Sequence, residues 1–361
     1  MQNIKFEKGG AAKIQQAIRE ACVNGSRQAV ITGNYEIEET VLIPGDFTLV
    51  LENCHLVMAD DTYCNMFTNE NCRTEKGRTA EGCDRNIIIE GRGRAILDGG
   101  KYNGLSEQNH SKDGRPHISV NNILLFANVE HFKISGLHVR NQRWWAMNFL
   151  YCRHGRISEI DFLSDCTMIS EDGTRVLGLS RTRFGGYGSV YIKNSDGIDL
   201  RVGCHDIIIE NITGVTEDDT VALTAIPGEL SDMFAVEGLS SDLYNVIIRN
   251  VNAAAFCAIV RLLNQGGIKL YNILVDGVYD ASKDSLYLDR GESGVRVGDT
   301  RSYGGAQSAP DETYNITIRN VVTRAFAALR LAGSIRNLKV DNVSSFDGGG
   351  EIQNNADIYE E

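Results

Sequence analysis

The sequence predicts an all-β chain folded as a right-handed parallel β-helix, with one short capping helix near its start. Three observations carry that expectation. A motif of one Asn or Asp followed by alternating aliphatic residues recurs along the chain. Its closing aliphatics return at nearly constant intervals. Helical periodicity is confined to the opening segment.

That opening segment comes first. Ile14, Ala17, Ile18, Ala21 and Cys22 follow the i, i+3, i+4, i+7, i+8 stripe of an amphipathic helix over residues 11–22, and Asn24-Gly25 stops it. Short strand-like runs follow: Ala29-Val30-Ile31, Thr48-Leu49-Val50-Leu51 and His55-Leu56-Val57-Met58. The repeat then takes over. Asn86-Ile87-Ile88-Ile89, Asp206-Ile207-Ile208-Ile209, Asn245-Val246-Ile247-Ile248, Asn272-Ile273-Leu274-Val275, Asn315-Ile316-Thr317-Ile318 and Asn337-Leu338-Lys339-Val340 are its copies. The closing aliphatics Leu137 and Ile160 lie 23 residues apart, Val251 and Val278 27, and Val321 and Val343 22. Short β runs at this period, separated by Gly/Asn turns, fit coils stacked at the ~4.8 Å strand spacing, with the aliphatics as interior ladders. A leucine-rich repeat would need its leucine and asparagine framework, and a propeller a longer four-strand unit. The helix is expected to cover the open end of the stack, where a bare strand edge invites aggregation. The chain therefore reads as one domain, 1–361. Residues 1–30 form the helical cap and first strand, about 31–345 the coils, and 346–361 a tail.

Composition bounds the function. Of 361 residues, 42% are hydrophobic and 23% charged, which excludes a disordered chain. Lys+Arg 36 against Asp+Glu 48 leaves a net charge of −12, arguing against nucleic acid or an anionic membrane as partner. No apolar run approaches the ~20 residues of a membrane helix. The start, Met1-Gln2-Asn3-Ile4-Lys5-Phe6, lacks a signal-peptide pattern, so a cytoplasmic protein is expected. Nine scattered cysteines fit reduced, mostly buried thiols. Neither they nor the seven His show metal-ligand spacing, so no cofactor and no essential metal is expected. Oligomeric state is left open.

The chemistry gathers in two segments, Asn194-Ser195-Asp196-Gly197-Ile198-Asp199 and Glu217-Asp218-Asp219. Asp196 and Asp218 are 22 residues apart, one repeat, so Asp196, Asp218 and Asp219 should meet at one spot on the coil wall. Carboxyls that close cannot all stay ionised, and one should be pushed towards its protonated form. An acid beside a base is what glycosidic bond hydrolysis needs.

These residues also carry a family resemblance. Asn194-Ser195-Asp196-Gly197 resembles the Asn-Thr-Asp-Gly motif of family 28 glycoside hydrolases, the polygalacturonase family, and Glu217-Asp218-Asp219 resembles its Gly-Asp-Asp. Gly294-Val295-Arg296-Val297-Gly298 resembles its Arg-Ile-Lys strand. Gly91-Arg92-Gly93 with Leu97-Asp98-Gly99, and Asn141 to Trp145 with Cys152, resemble segments without chemistry, so the likeness runs over roughly residues 10 to 345. It implies an inverting hydrolase acting on an oligosaccharide or small glycoside from the plant cell wall, in a bacterial-type protein. Asp218 would be the general acid, Asp196 and Asp219 would hold and activate water, and Asp199 would support the turn. Asn194 would help bind substrate.

The departures are specific. The family's Gly-His-Gly should fall near Ala255-Phe256-Cys257-Ala258, where there is no His, and Gly298 stands where the family has Lys. Arg296 is the best candidate to bind an acidic sugar, with Arg261 filling the vacated space, and Arg290 and Arg301 nearby in sequence. Trp144 and Trp145 should point to opposite faces of the wall, leaving Trp145 to stack on sugar. About 17 extra residues around 227–242 are expected to close one end of the cleft. Two other readings compete: a lyase or epimerase on the same scaffold, and a non-catalytic carbohydrate-binding β-helix.

Overall fold

The computed structural model describes residues 4–101, 119–164, 167–169, 175–177, 195–299 and 307–360. They form a right-handed parallel β-helix in which 20 strands join one continuous sheet around the solenoid.

The recurring Asn is the corner of each coil. Asn86, Asp206, Asn245, Asn272, Asn315 and Asn337 all turn the chain with φ between 51° and 56°. Asn and Asp tolerate this left-handed conformation better than other residues with a Cβ. Their side chains then bond from coil to coil. Asn245 donates to Asp206 at 3.0 Å, Asn272 to Asn245 at 3.0 Å, Asn315 to Asn272 at 2.9 Å and Asn337 to Asn315 at 2.7 Å. Just outside this row His205, Tyr244, Tyr271 and Tyr314 stack ring on ring at 4.6 to 4.9 Å.

The aliphatics after each corner face inward, in register. Ile89, Ile134, Ile157, Ile209, Ile248, Val275 and Ile318 make one unbroken interior ladder with no solvent exposure. A second ladder runs through Leu137, Ile160, Ile212, Val251, Val278, Val321 and Val343, so the spacings read from sequence are the coil periods. Each fully buried aliphatic stabilises the stack by about 1.5–3 kcal/mol. Helix α1 (Gly10–Val23) lays Ala11, Ile14, Ile18 and Ala21 over the first coil.

Seven strands of one wall position the site: β1 (Met147–Leu150), β2 (Ile198–Leu200), β3 (Val221–Ala225), β4 (Ala258–Asn264), β5 (Ser293–Val297), β6 (Ala327–Ser345) and β7 (Ile352–Tyr359). The first six stack in that order, and β7 pairs in parallel with Leu329–Arg336 of β6. The segment expected as a tail is therefore a further strand, built by the alternation of Ile352, Asn354, Ala356 and Ile358. Between β3 and β4 the register jumps by 39 residues, Val221 opposite Val260, which is the insertion read from sequence. The inserted segment does not close over the carboxylates. It leaves β3 at the end away from Asp219 and packs Phe234 beneath Arg73, while Glu237 N–H donates to Arg78 O at 2.9 Å. Leu230, Phe234 and Val236 are buried there, so apolar burial decides where it docks. Among the described residues no helix is long and apolar enough to cross a membrane.

Candidate active site

The turns that enter β2, β3 and β4 lie side by side, and each brings an acid or thiol to the same edge of the wall. Asp196 precedes β2, Asp218 and Asp219 precede β3, and Cys257 precedes β4. The trio expected from the sequence does assemble, with a register of 23 instead of 22. Asp219, not Asp218, stands opposite Asp196: its backbone N–H donates to Asp196 Oδ1 at 3.1 Å, and Gly197 N–H donates to Asp219 O at 2.9 Å. Strand pairing at Ile198–Val221 sets that offset, which equal spacing of motifs could not. Asp218 lies on the next coil's near side beside Cys257, and ligand atoms of Asp218, Asp219 and Cys257 lie within 4.8 Å of one another.

All three carboxyls are buried, and each is held differently. Asp219 Oδ1 accepts from Ala258 N–H at 2.8 Å and Oδ2 from Arg261 Nη1 at 3.4 Å. Burial raises its pKa to about 6, with Arg261 pulling the other way. Asp196 is raised well above the ordinary carboxylate range, first by burial and then by Asp199, Asp218 and Asp219. Asp199, without solvent exposure, is raised to about 7 by burial, against the pull of Arg201 3.5 Å away. Burial and the neighbouring carboxyls thus favour the protonated form of Asp196, while Arg261 favours the charged form of Asp219. Behind them Ser195 Oγ lies 2.9 Å from Gln142 O and 3.3 Å from the buried Glu217 Oε2, which fixes the turn.

The arginines form a row. Arg261, Arg296 and Arg330 stand in register on β4, β5 and β6. Each is matched by an acid. Arg261 Nη2 donates to Asp299 Oδ2 at 2.8 Å, Arg296 Nη2 to the same oxygen at 3.1 Å, and Arg330 pairs with Glu292, which also lies 3.8 Å from Arg296. Arg261 is thus turned into the carboxylates, and Arg296 remains partly exposed beside it. Arg290 instead binds the carbonyls of Asp347 and Gly348 and stays out of the site.

Both tryptophans are buried, contrary to the expected alternation, because residues 143–146 form the turn ahead of β1 instead of an extended strand. Arg201 lies 3.8 Å above the Trp145 ring, so that face is covered and offers no platform for a sugar. Asn194, Arg301, His117 and Cys166 lie outside the described residues. The other eight cysteines form no disulfide, and all but Cys22 and Cys64 are buried.

The two departures from the family motif have structural causes. Cys257 lies beside Asp218 and Asp219, in the stretch where the resemblance would put the His. Gly298 has φ 71°, and a Cβ there would lie 1.9 Å from Ala332 O, so the backbone has no room for Lys. Asp299 was not singled out from the sequence, although its place directly after the Arg strand is a usable signal. Cys257 carried a signal only as the residue found where His was sought.

The sequence matches no protein-family model and no curated protein. Solved structures do match. An exopolygalacturonase from Thermotoga maritima is 13% identical, covers 96% of this chain and 87% of its own, and superposes with a TM-score of 0.50. The fold is that of the polygalacturonases. A galactohydrolase of sulfated galactose and anhydrogalactose units shares this polygalacturonase fold at 12% identity, covering 97% of this chain and 85% of its own, with a TM-score of 0.52. So does a tailspike protein of Escherichia coli bacteriophage HK620, at 11% identity and TM-score 0.53, where the match spans 95% of this chain and 60% of the tailspike.

Proposed function

We propose that this chain is a glycoside hydrolase of the polygalacturonase type, cleaving a short pectic oligosaccharide or small glycoside with inversion. The observation that carries the reading is the gathering of Asp196, Asp218 and Asp219 in one buried cluster, with Arg261 against Asp219 favouring its charged form. Inverting hydrolysis needs an acid on one side of the anomeric carbon and a base with its water on the other. Asp218 donates its proton to the leaving oxygen as the glycosidic C–O bond breaks. A water held by Asp196 attacks the anomeric carbon, and Asp219 takes its proton. The products are the free leaving alcohol and a sugar of inverted anomeric configuration.

Arg261, Arg296 and Arg330 are paired with the chain's own acids, which leaves little net positive charge to grip a uronate on every unit of a polymer. A short or neutral-ended substrate beside Arg296 fits that balance. A panel of aryl glycosides and pectic oligosaccharides, with product anomers read by NMR, tests the reading. Inverted products, activity unchanged by chelator and faster turnover of di- and trisaccharides than of polygalacturonate are expected. An unsaturated, ultraviolet-absorbing product or loss of activity with chelator would replace it with a lyase.

A further inference from the structure

The charged groups of the site form one alternating file. Asp219 meets Arg261, Arg261 and Arg296 share Asp299 Oδ2, and Glu292 lies between Arg296 and Arg330. The two ends of the file differ in access. The Asp299 side chain has no exposure and that of Arg261 is 8% exposed, whereas Glu292 is 18% exposed and Arg330 26%. An anion arriving from solvent therefore meets the Arg296–Arg330 pair first.

Glu292 already fills that place. Its two oxygens are divided between the two guanidiniums, Oε1 on Arg330 and Oε2 at 3.8 Å from Arg296 Nη1. Arg296 and Arg330 stand opposite each other on neighbouring strands, so the carboxylate straddles one coil spacing as a bound anion would. Its backbone is fixed at the entrance to β5: Glu292 N–H donates to Cys257 O at 3.0 Å, and Ala327 N–H donates to Glu292 O at 3.0 Å. A carboxylate anchored in the chain loses no translational freedom on pairing, and a substrate carboxylate does. Strand register gives the position of this seat. Val221 is opposite Val260 and Ala258 opposite Ser293, so Asp218, Cys257 and Glu292 hold the same place on three successive turns. Glu292 thus lies two coils from Asp218, about 10 Å along the wall.

We propose that Glu292 is a specificity-determining residue: it occupies the seat that an acidic sugar next to the cleaved bond would take, and reserves that position for neutral sugars. The place of the sugar rests on the hydrolase reading; the charge preference of the seat does not, and binding alone reads it. Free galacturonate and its methyl ester share one ring, and neither has a glycosidic bond to cleave. NMR titration of the full chain gives their dissociation constants. The native chain is expected to bind the acid no better than the ester. In Glu292→Gln the ratio should turn at least tenfold towards the acid, and that gain should vanish in Glu292→Gln/Arg330→Gln. Glu292→Asp keeps the charge but withdraws it by one methylene, and should show a smaller gain; it carries the test if circular dichroism finds the Gln variant unfolded. An unchanged ratio in these variants, a tenfold preference for the acid in the native chain, or a gain that survives the loss of Arg330 would overturn the inference. Failure of the hydrolase reading shows elsewhere, as absence of turnover on the glycoside panel, and leaves these binding constants as they are.

Discussion

Arg261 Nη1 sits 3.4 Å from Asp219 Oδ2, and this contact opposes the effect of burial on that carboxyl. Four aspartates, 196, 199, 218 and 219, are buried together, and burial disfavours the charged form of a carboxyl. The guanidinium cannot lose its charge at any ordinary pH, so it favours the ionised form of Asp219 against its burial. Asp299 holds Arg261 from the other side at 2.8 Å and aims it.

Replacing the cation should move the acidic limb of the rate profile. In Arg261→Gln, Asp219 loses the group that opposes its burial, and its pKa rises from about 6. The limb of kcat/KM against pH is expected to shift upward by about one unit or more, with a rate loss of roughly tenfold at pH 6 and less at pH 8. An unshifted limb with uniformly lower activity would mean that Arg261 serves only the packing.

Asp218→Asn should abolish hydrolysis of a natural oligosaccharide, by roughly 10³-fold or more. An aryl glycoside whose leaving group needs no proton should suffer much less. The melting temperature should stay close to that of the native chain, since Asn keeps the shape and brings no charge into the cluster of neighbouring carboxyls. Comparing turnover of the two substrates separates loss of the acid from loss of the fold.

The cluster also makes stability depend on pH. Asp199 keeps its proton up to about 7 in the folded chain, whereas the unfolded chain releases it near the ordinary carboxylate value of ~3.9. The stability from this tighter proton binding is complete below the unfolded value and is lost as pH rises through the folded one. Thermal unfolding should therefore occur at lower temperature at pH 8 than at pH 5, by a few degrees. Asp199→Asn carries no proton to lose and should flatten that difference, which calorimetry at the two pH values will show.

Restoring the family's lysine should fail for a backbone reason. Gly298→Lys places a Cβ at 1.9 Å from Ala332 O on a backbone with φ 71°. A loss of about 2 kcal/mol or more in unfolding free energy is expected, without any gain on galacturonan. Denaturant titration together with a galacturonan assay reads both. A stable variant with new uronate activity would show that the turn can rearrange.

The coils were legible in the primary structure because a solenoid repeats locally. An Asn that tolerates a left-handed turn, followed by aliphatics at alternate positions, specifies both the corner and the inward face of each coil, and Leu137–Ile160 and Val321–Val343 lie opposite one another as their spacing implied. The acidic trio was legible for the same reason: residues about one period apart must share a wall. Gaps between motifs do not give register to the residue, because a turn can absorb one position, so only strand pairing showed that Asp219 stands over Asp196. What lies above each side chain was likewise decided in three dimensions. Trp145 is covered by Arg201, the 227–242 insertion docks on Phe234 and Val236 away from the carboxylates, and Arg261 turns inward because Asp219 and Asp299 lie on neighbouring coils within its reach. The sequence alone determines a periodic backbone and its alternating faces, since these follow from local conformation and period. Charge, burial and proton position depend on which coils are neighbours in space, and only the tertiary structure decides that.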